Sequence, residues 1–142
     1  MIVNILKLKP NALIPKYQTK GSSGADVHAY LEEPYYLMPG EWALIPTGLA
    51  FEIPRGYEAQ VRSRSGLALK GISVLNSPGT IDSDFTEEVK VILKNSGDKM
   101  WTIEPEQRIA QLVFAPVAKA LLVETQELLK TSREGGFGST GI

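Results

Sequence analysis

The chain contains no cysteine. That absence excludes thiol nucleophiles, disulfide staples and thiolate zinc sites together. A single histidine leaves no cluster of ring nitrogens for a transition metal, so any metal must be held by oxygen. No run approaches the roughly 20 apolar residues of a membrane-spanning helix. Residues 1–7 lack the basic start and apolar stretch of a secretory signal, and a soluble cytoplasmic protein with no membrane partner is expected. Charge of neither sign is in excess, since 15 Lys and Arg face 16 Asp and Glu for a net charge of -1. No general field draws in polyanions, so nucleic-acid binding is not expected, whereas a local phosphate site stays compatible with the balance.

What the sequence does have is enough apolar material for one core. Its 142 residues fit a single domain, and 43% hydrophobic with 22% charged residues is an ordinary globular composition. Apolar and polar residues alternate over residues 2–9, 42–53, 57–62, 88–94 and 100–103, the period of half-buried strands. Pro34, Pro39-Gly40, Pro54-Arg55-Gly56 and Asn95-Ser96-Gly97-Asp98 punctuate them with turn residues. Many short strands with frequent turns predict an all-β barrel or sandwich. One short helix is predicted over residues 65–70, while residues 125–130 read as either weak helix or extended chain. Trp42 and Trp101 fall inside strand patterns and read as core or interface aromatics. The tail from Arg133 to Ile142 carries Gly135, Gly136, Gly138 and Gly141 around one aromatic, Phe137, and cannot form a core by itself.

Four segments carry candidate chemistry. Ser63-Arg64-Ser65-Gly66-Leu67-Ala68 puts a guanidinium, a hydroxyl and a glycine at a strand-to-helix junction, which can cradle phosphate and reads equally as an ordinary helix cap. Asn76 to Phe85 is a turn-rich segment entering a strand, with Asp82 and Asp84 at alternate positions that should share one face. Beside a phosphate cradle such a carboxylate can deprotonate water, although the segment alone reads first as a solvated acidic turn. Asp26, next to Gly24-Ala25, is a third carboxylate, or simply a turn residue. In Arg108-Ile109-Ala110-Gln111-Leu112, strand alternation puts Arg108 and Ala110 on one face and Gln111 on the other, so they need not serve one site and Gln111 is only a candidate. The lone His28 has no partner for catalysis or metal binding and receives no role.

In order along the chain, Gly24-Ala25-Asp26-Val27, Arg64 to Ala68, Asn76 to Phe85, Arg108 to Leu112 and Gly135-Gly136-Phe137-Gly138-Ser139-Thr140-Gly141 together resemble the homotrimeric dUTPase family. The resemblance implies a distorted jelly-roll-like β-barrel over residues 1–130 and a flexible glycine-rich arm over 131–142 that closes on the active site. It implies a homotrimer whose three sites are each assembled from three subunits. The reaction implied is hydrolysis of dUTP to dUMP and pyrophosphate, which limits uracil incorporation into DNA and supplies dUMP for thymidylate. Asp82 would be the general base, and Arg64, Ser65, Gly66 and Gln111 the phosphate cradle. Asp26 would hold Mg2+ through water. Uracil would lie against Asn76, Gly79, Thr80 and Ile81 and the returning strand near Lys90. Phe85 would lie beneath the deoxyribose, where the family usually carries tyrosine. Phe137 would stack on the base, with Gly138 and Ser139 beside it, and Arg133 would reach the γ-phosphate. Glu87 stands where the family usually has glycine, and the tail is one residue shorter between arginine and phenylalanine. Two alternatives accompany this reading. A dCTP deaminase-like enzyme is disfavoured because Ile92 occupies the position of its proton-moving glutamate, and a non-catalytic nucleotide-binding regulator is disfavoured by Asp82 and the complete tail.

Overall fold

Short alternating segments broken by turn residues become short antiparallel strands in the computed structural model, which describes residues 1–141. In chain order these are β1 (Asn4–Lys7), β2 (Ala25–His28), β3 (Tyr35–Leu37), β4 (Trp42–Pro46), β5 (Leu49–Glu52) and β6 (Tyr57–Arg62). The helix α1 (Ser65–Ala68) follows, then β7 (Ile72–Val74), β8 (Gly79–Ile81), β9 (Lys90–Asn95), β10 (Trp101–Ile103) and β11 (Arg108–Pro116). Hydrogen bonds gather them into a four-stranded sheet ordered β2-β11-β6-β8, a three-stranded sheet ordered β4-β9-β7, and the pairs β1-β5 and β10-β3. Among the described residues no sheet closes on itself, so the closed barrel implied by the sequence is not observed. Barrel closure needs one continuous ladder of staggered strands. Here proline and glycine turns cut the ladder into four pieces that wrap a single core.

That core follows from the alternation. In β6 the inward positions Ala59 and Val61 are buried while Glu58, Gln60 and Arg62 alternate with them on the more open face, and in β4 Ala43 and Ile45 go in while Trp42 and Leu44 stay exposed. Leu37, Ile45, Leu49, Ile72, Leu93, Ile103, Ile109 and Leu112 are all fully buried in one continuous cluster. Burial of such side chains contributes roughly 1.5–3 kcal/mol each. Trp101 packs against this cluster with the Lys70 ammonium 5.3 Å from its ring, whereas Trp42 is 61% exposed and belongs to the surface of the chain.

The segment read as one strand over residues 42–53 is two. It breaks at Gly48, whose φ of 67° suits glycine and whose missing side chain leaves room for Ala12, since a Cβ there would come within 3.0 Å of it. The buried Thr47 hydroxyl donates to the Val89 carbonyl at 2.6 Å, fixing this corner against the chain that enters β9. Asn95, also fully buried, donates to the Leu37 and Lys99 carbonyls at 2.9 and 2.8 Å and accepts from Gly97 N at 2.9 Å. A buried amide so completely paired stabilises the turn that follows β9.

The helix is shorter than the predicted 65–70, since Leu69 and Lys70 already lie in the turn that ends at Gly71. Residues 125–130 form no helix. Regular structure ends at Pro116, and the residues from Val117 to Gly141 are exposed throughout. Ile142, the last residue of the expected arm, lies outside the described residues.

Candidate active site

The strand β8 forms one edge of the four-stranded sheet. It pairs with β6 on one side only, Gly79 opposite Val61 and Ile81 opposite Ala59. Its free edge lines a cleft of about 180 Å³. Asn76, Gly79, Thr80, Ile81, Asp82, Phe85 and Lys90 all border that cleft, so the structure brings together seven of the residues read from the sequence. Leu44, Val61, Val89 and Ile92 complete the wall with apolar surface. Sequence reading missed Leu44, Val61 and Val89 because they are ordinary apolar residues with no chemical signature. Ile92 stands in the cleft as an isoleucine, which cannot transfer protons.

Asp82 follows directly on β8. The strand ends at Ile81, and a turn closed by Phe85 N donating to the Asp82 carbonyl at 3.1 Å begins there. The expectation that Asp82 and Asp84 share a strand face is therefore corrected: alternation stops where the turn starts, and Asp84 does not border the cleft. Among the described residues Asp82 is its only carboxylate. Lys90, the first residue of β9, is 3.6 Å from Glu88, whose other oxygen accepts from Gly48 N at 2.9 Å. This anchor ties the cleft wall to the corner at Gly48.

A second constellation centres on Asp26, whose side chain is only 2% exposed. Arg108 donates to one carboxylate oxygen at 3.0 Å, and Gln111 donates to the other at 3.1 Å. Arg64 approaches the latter oxygen at 3.6 Å, and its Nη1 donates to the Arg108 carbonyl at 3.0 Å. Placing Arg108 and Gln111 on opposite faces is thus overturned. The register shifts between Arg108 and Ala110, Arg108 pairing with His28 and Gln111 with Asp26, and this bulge returns both side chains to the same carboxylate. Gly24 is needed for the close approach, since a Cβ there would lie 3.0 Å from the Gln111 side chain. Ser65 and Gly66 are exposed at the start of α1, where the first amides of a helix lack intrahelical partners. None of Asp26, Arg64, Ser65, Gly66 and Gln111 borders the Asp82 cleft, so the two constellations are separate within one chain.

The tail residues join neither. Arg133 N donates only to the Thr131 hydroxyl, and Phe137 is fully exposed with a φ of 49° in a turn closed by Ser139 N and the Gly136 carbonyl. Gly138 lies in the same turn. His28 neighbours the Asp26 group on β2, and burial lowers its pKa below 6.5 against the opposing pull of Asp26. Metal binding can be tested on the donors present. No group of three His, Cys, Asp or Glu residues capable of holding an ion occurs among the described residues. The Asp26 carboxylate is covered and held by two arginines and an amide, which leaves no open face for an ion or its waters. It does not fit a metal-holding role in this arrangement.

The sequence model of the dUTPase family matches residues 10–141. The chain belongs to the dUTPase family. It is 60% identical over 131 residues to the deoxyuridine 5'-triphosphate nucleotidohydrolase of Chlamydia pneumoniae, covering 90% of each chain. Its identity to the corresponding protein of Nautilia profundicola is 55% over 143 residues, covering 99% of each. Among solved structures, the Staphylococcus bacteriophage 80alpha dUTPase with dUPNHPP superposes with a TM-score of 0.89 at 28% identity over 99% of both chains. The dUTPase of Staphylococcus aureus phage phi11, described with a structural Mg(II) ion, shares the fold with a TM-score of 0.82 at 24% identity, covering 92% of this chain and 100% of the other.

Proposed function

We infer that this chain hydrolyses dUTP to dUMP and pyrophosphate, with Asp82 as the general base. The observation that carries the reading is the cleft: a lone carboxylate at the end of a free strand edge, with an aromatic ring and an asparagine beside it. A free edge offers alternating N–H and C=O groups, and uracil presents a donor between two acceptors. Gly79, Thr80 and Ile81 therefore supply a backbone that pairs with uracil, and Asn76 adds a side-chain contact. Cytosine presents an acceptor at N3 and a donor at its 4-amino group, which mismatch this pattern, and is rejected. Phe85 supports the deoxyribose and leaves a 2′-hydroxyl without a partner, while Lys90 closes the returning wall. Asp82 takes a proton from the water that attacks the α-phosphorus. The bond to the α,β-bridging oxygen breaks, pyrophosphate leaves, and Asp82 releases the proton to solvent.

The Asp26 constellation supplies what the cleft lacks. Arg64, the amides of Ser65 and Gly66, and Gln111 form a cationic, donor-rich surface for the phosphates. We assign it to a neighbouring copy in a homotrimer, because the two constellations do not meet within one chain and Leu121, Leu122, Leu128 and Leu129 are 83–94% exposed, an apolar stretch that a second copy would cover. Residues 1–130 then form the jelly-roll-like domain. The arm over 131–142 closes the site, with Phe137 over the base, Gly138 and Ser139 beside it, and Arg133 at the γ-phosphate. Magnesium keeps several waters and leans on substrate phosphates, so it is assigned to the triphosphate itself. No helix among the described residues is long and apolar enough to cross a membrane. The test is pyrophosphate release from dUTP, dTTP, dCTP and UTP with magnesium. Preference for dUTP supports the reading, and preference for any other nucleotide overturns it.

A further inference from the structure

The Asp26 constellation contains one side chain more than a phosphate cradle requires. Arg108 contacts both of the other charged members, with its guanidinium on Asp26 at 3.0 Å and its carbonyl accepting from Arg64 at 3.0 Å. A carboxylate that is 2% exposed needs a charged partner, because an unpaired buried charge is strongly destabilising. Arg108 meets that need at hydrogen-bond distance. Arg64 stands back at 3.6 Å, beyond the range of a good N–H···O bond, with its Nη1 tethered to a neutral carbonyl instead.

We propose that Arg108 is a positioning residue for the phosphate cradle: it is the counter-ion of Asp26 and thereby leaves the charge of Arg64 free for substrate. The proposal rests on the reading above that Arg64 contacts the triphosphate. The charge count gives the reason. One carboxylate with one guanidinium sums to zero and offers a polyanion little, whereas one carboxylate with two guanidinium groups keeps one positive charge. The bulge between Arg108 and Ala110 is what permits this arrangement, since regular alternation would send Arg108 to the other face. Replacing the Arg108 side chain leaves its carbonyl in place and releases Asp26, which then pairs with Arg64 and neutralises it.

The consequence scales with the phosphates of the ligand. In Arg108→Gln, affinity for a non-hydrolysable dUTP analogue should fall about tenfold, as expected for losing one charge-assisted contact. Affinity for dUMP should fall less, and that for deoxyuridine should hold. Arg108→Lys, which keeps the charge, should recover most of the loss. The double variant Asp26→Asn/Arg108→Gln should also recover affinity, because removing the carboxylate frees Arg64 again. Binding of the three ligands is measured by calorimetry, with melting temperature and oligomeric state followed for every variant. Equal losses for all three ligands would show a merely structural role and overturn the proposal. So would an undiminished triphosphate affinity in Arg108→Gln, or a double variant as weak as the single one. If Arg108→Gln does not assemble, the double variant carries the test alone, since it removes both charges of the pair: near-native triphosphate binding supports the proposal and a tenfold loss overturns it. Arg64→Ala separates the two levels of inference. If that variant binds the analogue normally, the cradle reading fails and the proposal with it. If it weakens binding while Arg108→Gln does not, only the role of Arg108 fails.

Discussion

Replacing Asp82 with asparagine keeps the shape of the side chain and removes its ability to accept the proton of an attacking water. General-base catalysis by a positioned group contributes roughly 10²–10⁴-fold. The cleft favours the upper part of that range, because among the described residues Asp82 is the only carboxylate bordering it and the neighbouring Lys90 is a cation engaged with Glu88. No other cleft group among the described residues can substitute. A loss of at least about a thousandfold in kcat follows, equivalent to about 4 kcal/mol of transition-state stabilisation. Ground-state affinity should change little, since uracil and sugar meet β8, Asn76 and Phe85. Stability should also hold, because the exposed Asp82 side chain makes no ion pair among the described residues and its carbonyl, which closes the turn with Phe85, is untouched. Exposed substitutions of this kind usually stay within about 0.5 kcal/mol. The assay is single-turnover pyrophosphate release beside calorimetric binding of a non-hydrolysable dUTP analogue. Turnover within tenfold of wild type, with unchanged binding, would refute Asp82 as the base.

Phe85→Ala should lower the preference for dUTP over UTP by about tenfold, because burying an unpaired 2′-hydroxyl beneath the ring costs on the order of 1–3 kcal/mol; an unchanged ratio of kcat/KM values would reject the sugar-platform role. Ending the chain after Lys130 should leave a folded trimer by size-exclusion chromatography but reduce turnover about a thousandfold, by comparison with supplied arginine fingers and closing lids. Full-length activity in that truncation would make the tail an ordinary terminus, while a small effect of Arg133→Ala alone would point to Phe137 and the glycine backbone as its working part. His28 gives a pH prediction. Its folded pKa lies below the ordinary 6.5 because burial disfavours the imidazolium, so the unfolded chain binds the proton more readily. The stability this contributes is present above pH 6.5 and is lost as pH falls through the lower folded value; denaturant titrations from pH 7 downward should show a shallower decline in His28→Gln.

The candidate site was legible where chemistry is carried by residue type and local order. Asn76, Asp82, Phe85 and Lys90 meet in one cleft because a short edge strand and the turn after it bring neighbours in sequence together. The role of Arg108 was not legible, since alternation counted along Arg108 to Gln111 assumes a regular strand and a bulge breaks the count. Asp84 failed in the converse way, where a turn began one residue after the last strand position. The strand over residues 57–62 emerged with its predicted bounds because both ends are marked, by Gly56 before it and by the helix start after Arg62. The run over residues 42–53 did not, because its break at Gly48 depends on contacts with Ala12 and Glu88, both remote in sequence.

By itself the sequence determined an all-β chain of many short strands with a glycine-rich end, and, through five segments in order, its family. Turn residues and apolar alternation act within a few positions, so they can be read along the chain. Tertiary structure alone decided that four open sheets share one core, that β8 is an edge with its hydrogen-bonding side free, and that Asp26 gathers Arg64, Arg108 and Gln111. These depend on which strand lies beside which and in what register. Such pairings are set by long-range burial, and a shift of one residue reverses the face on which a side chain emerges.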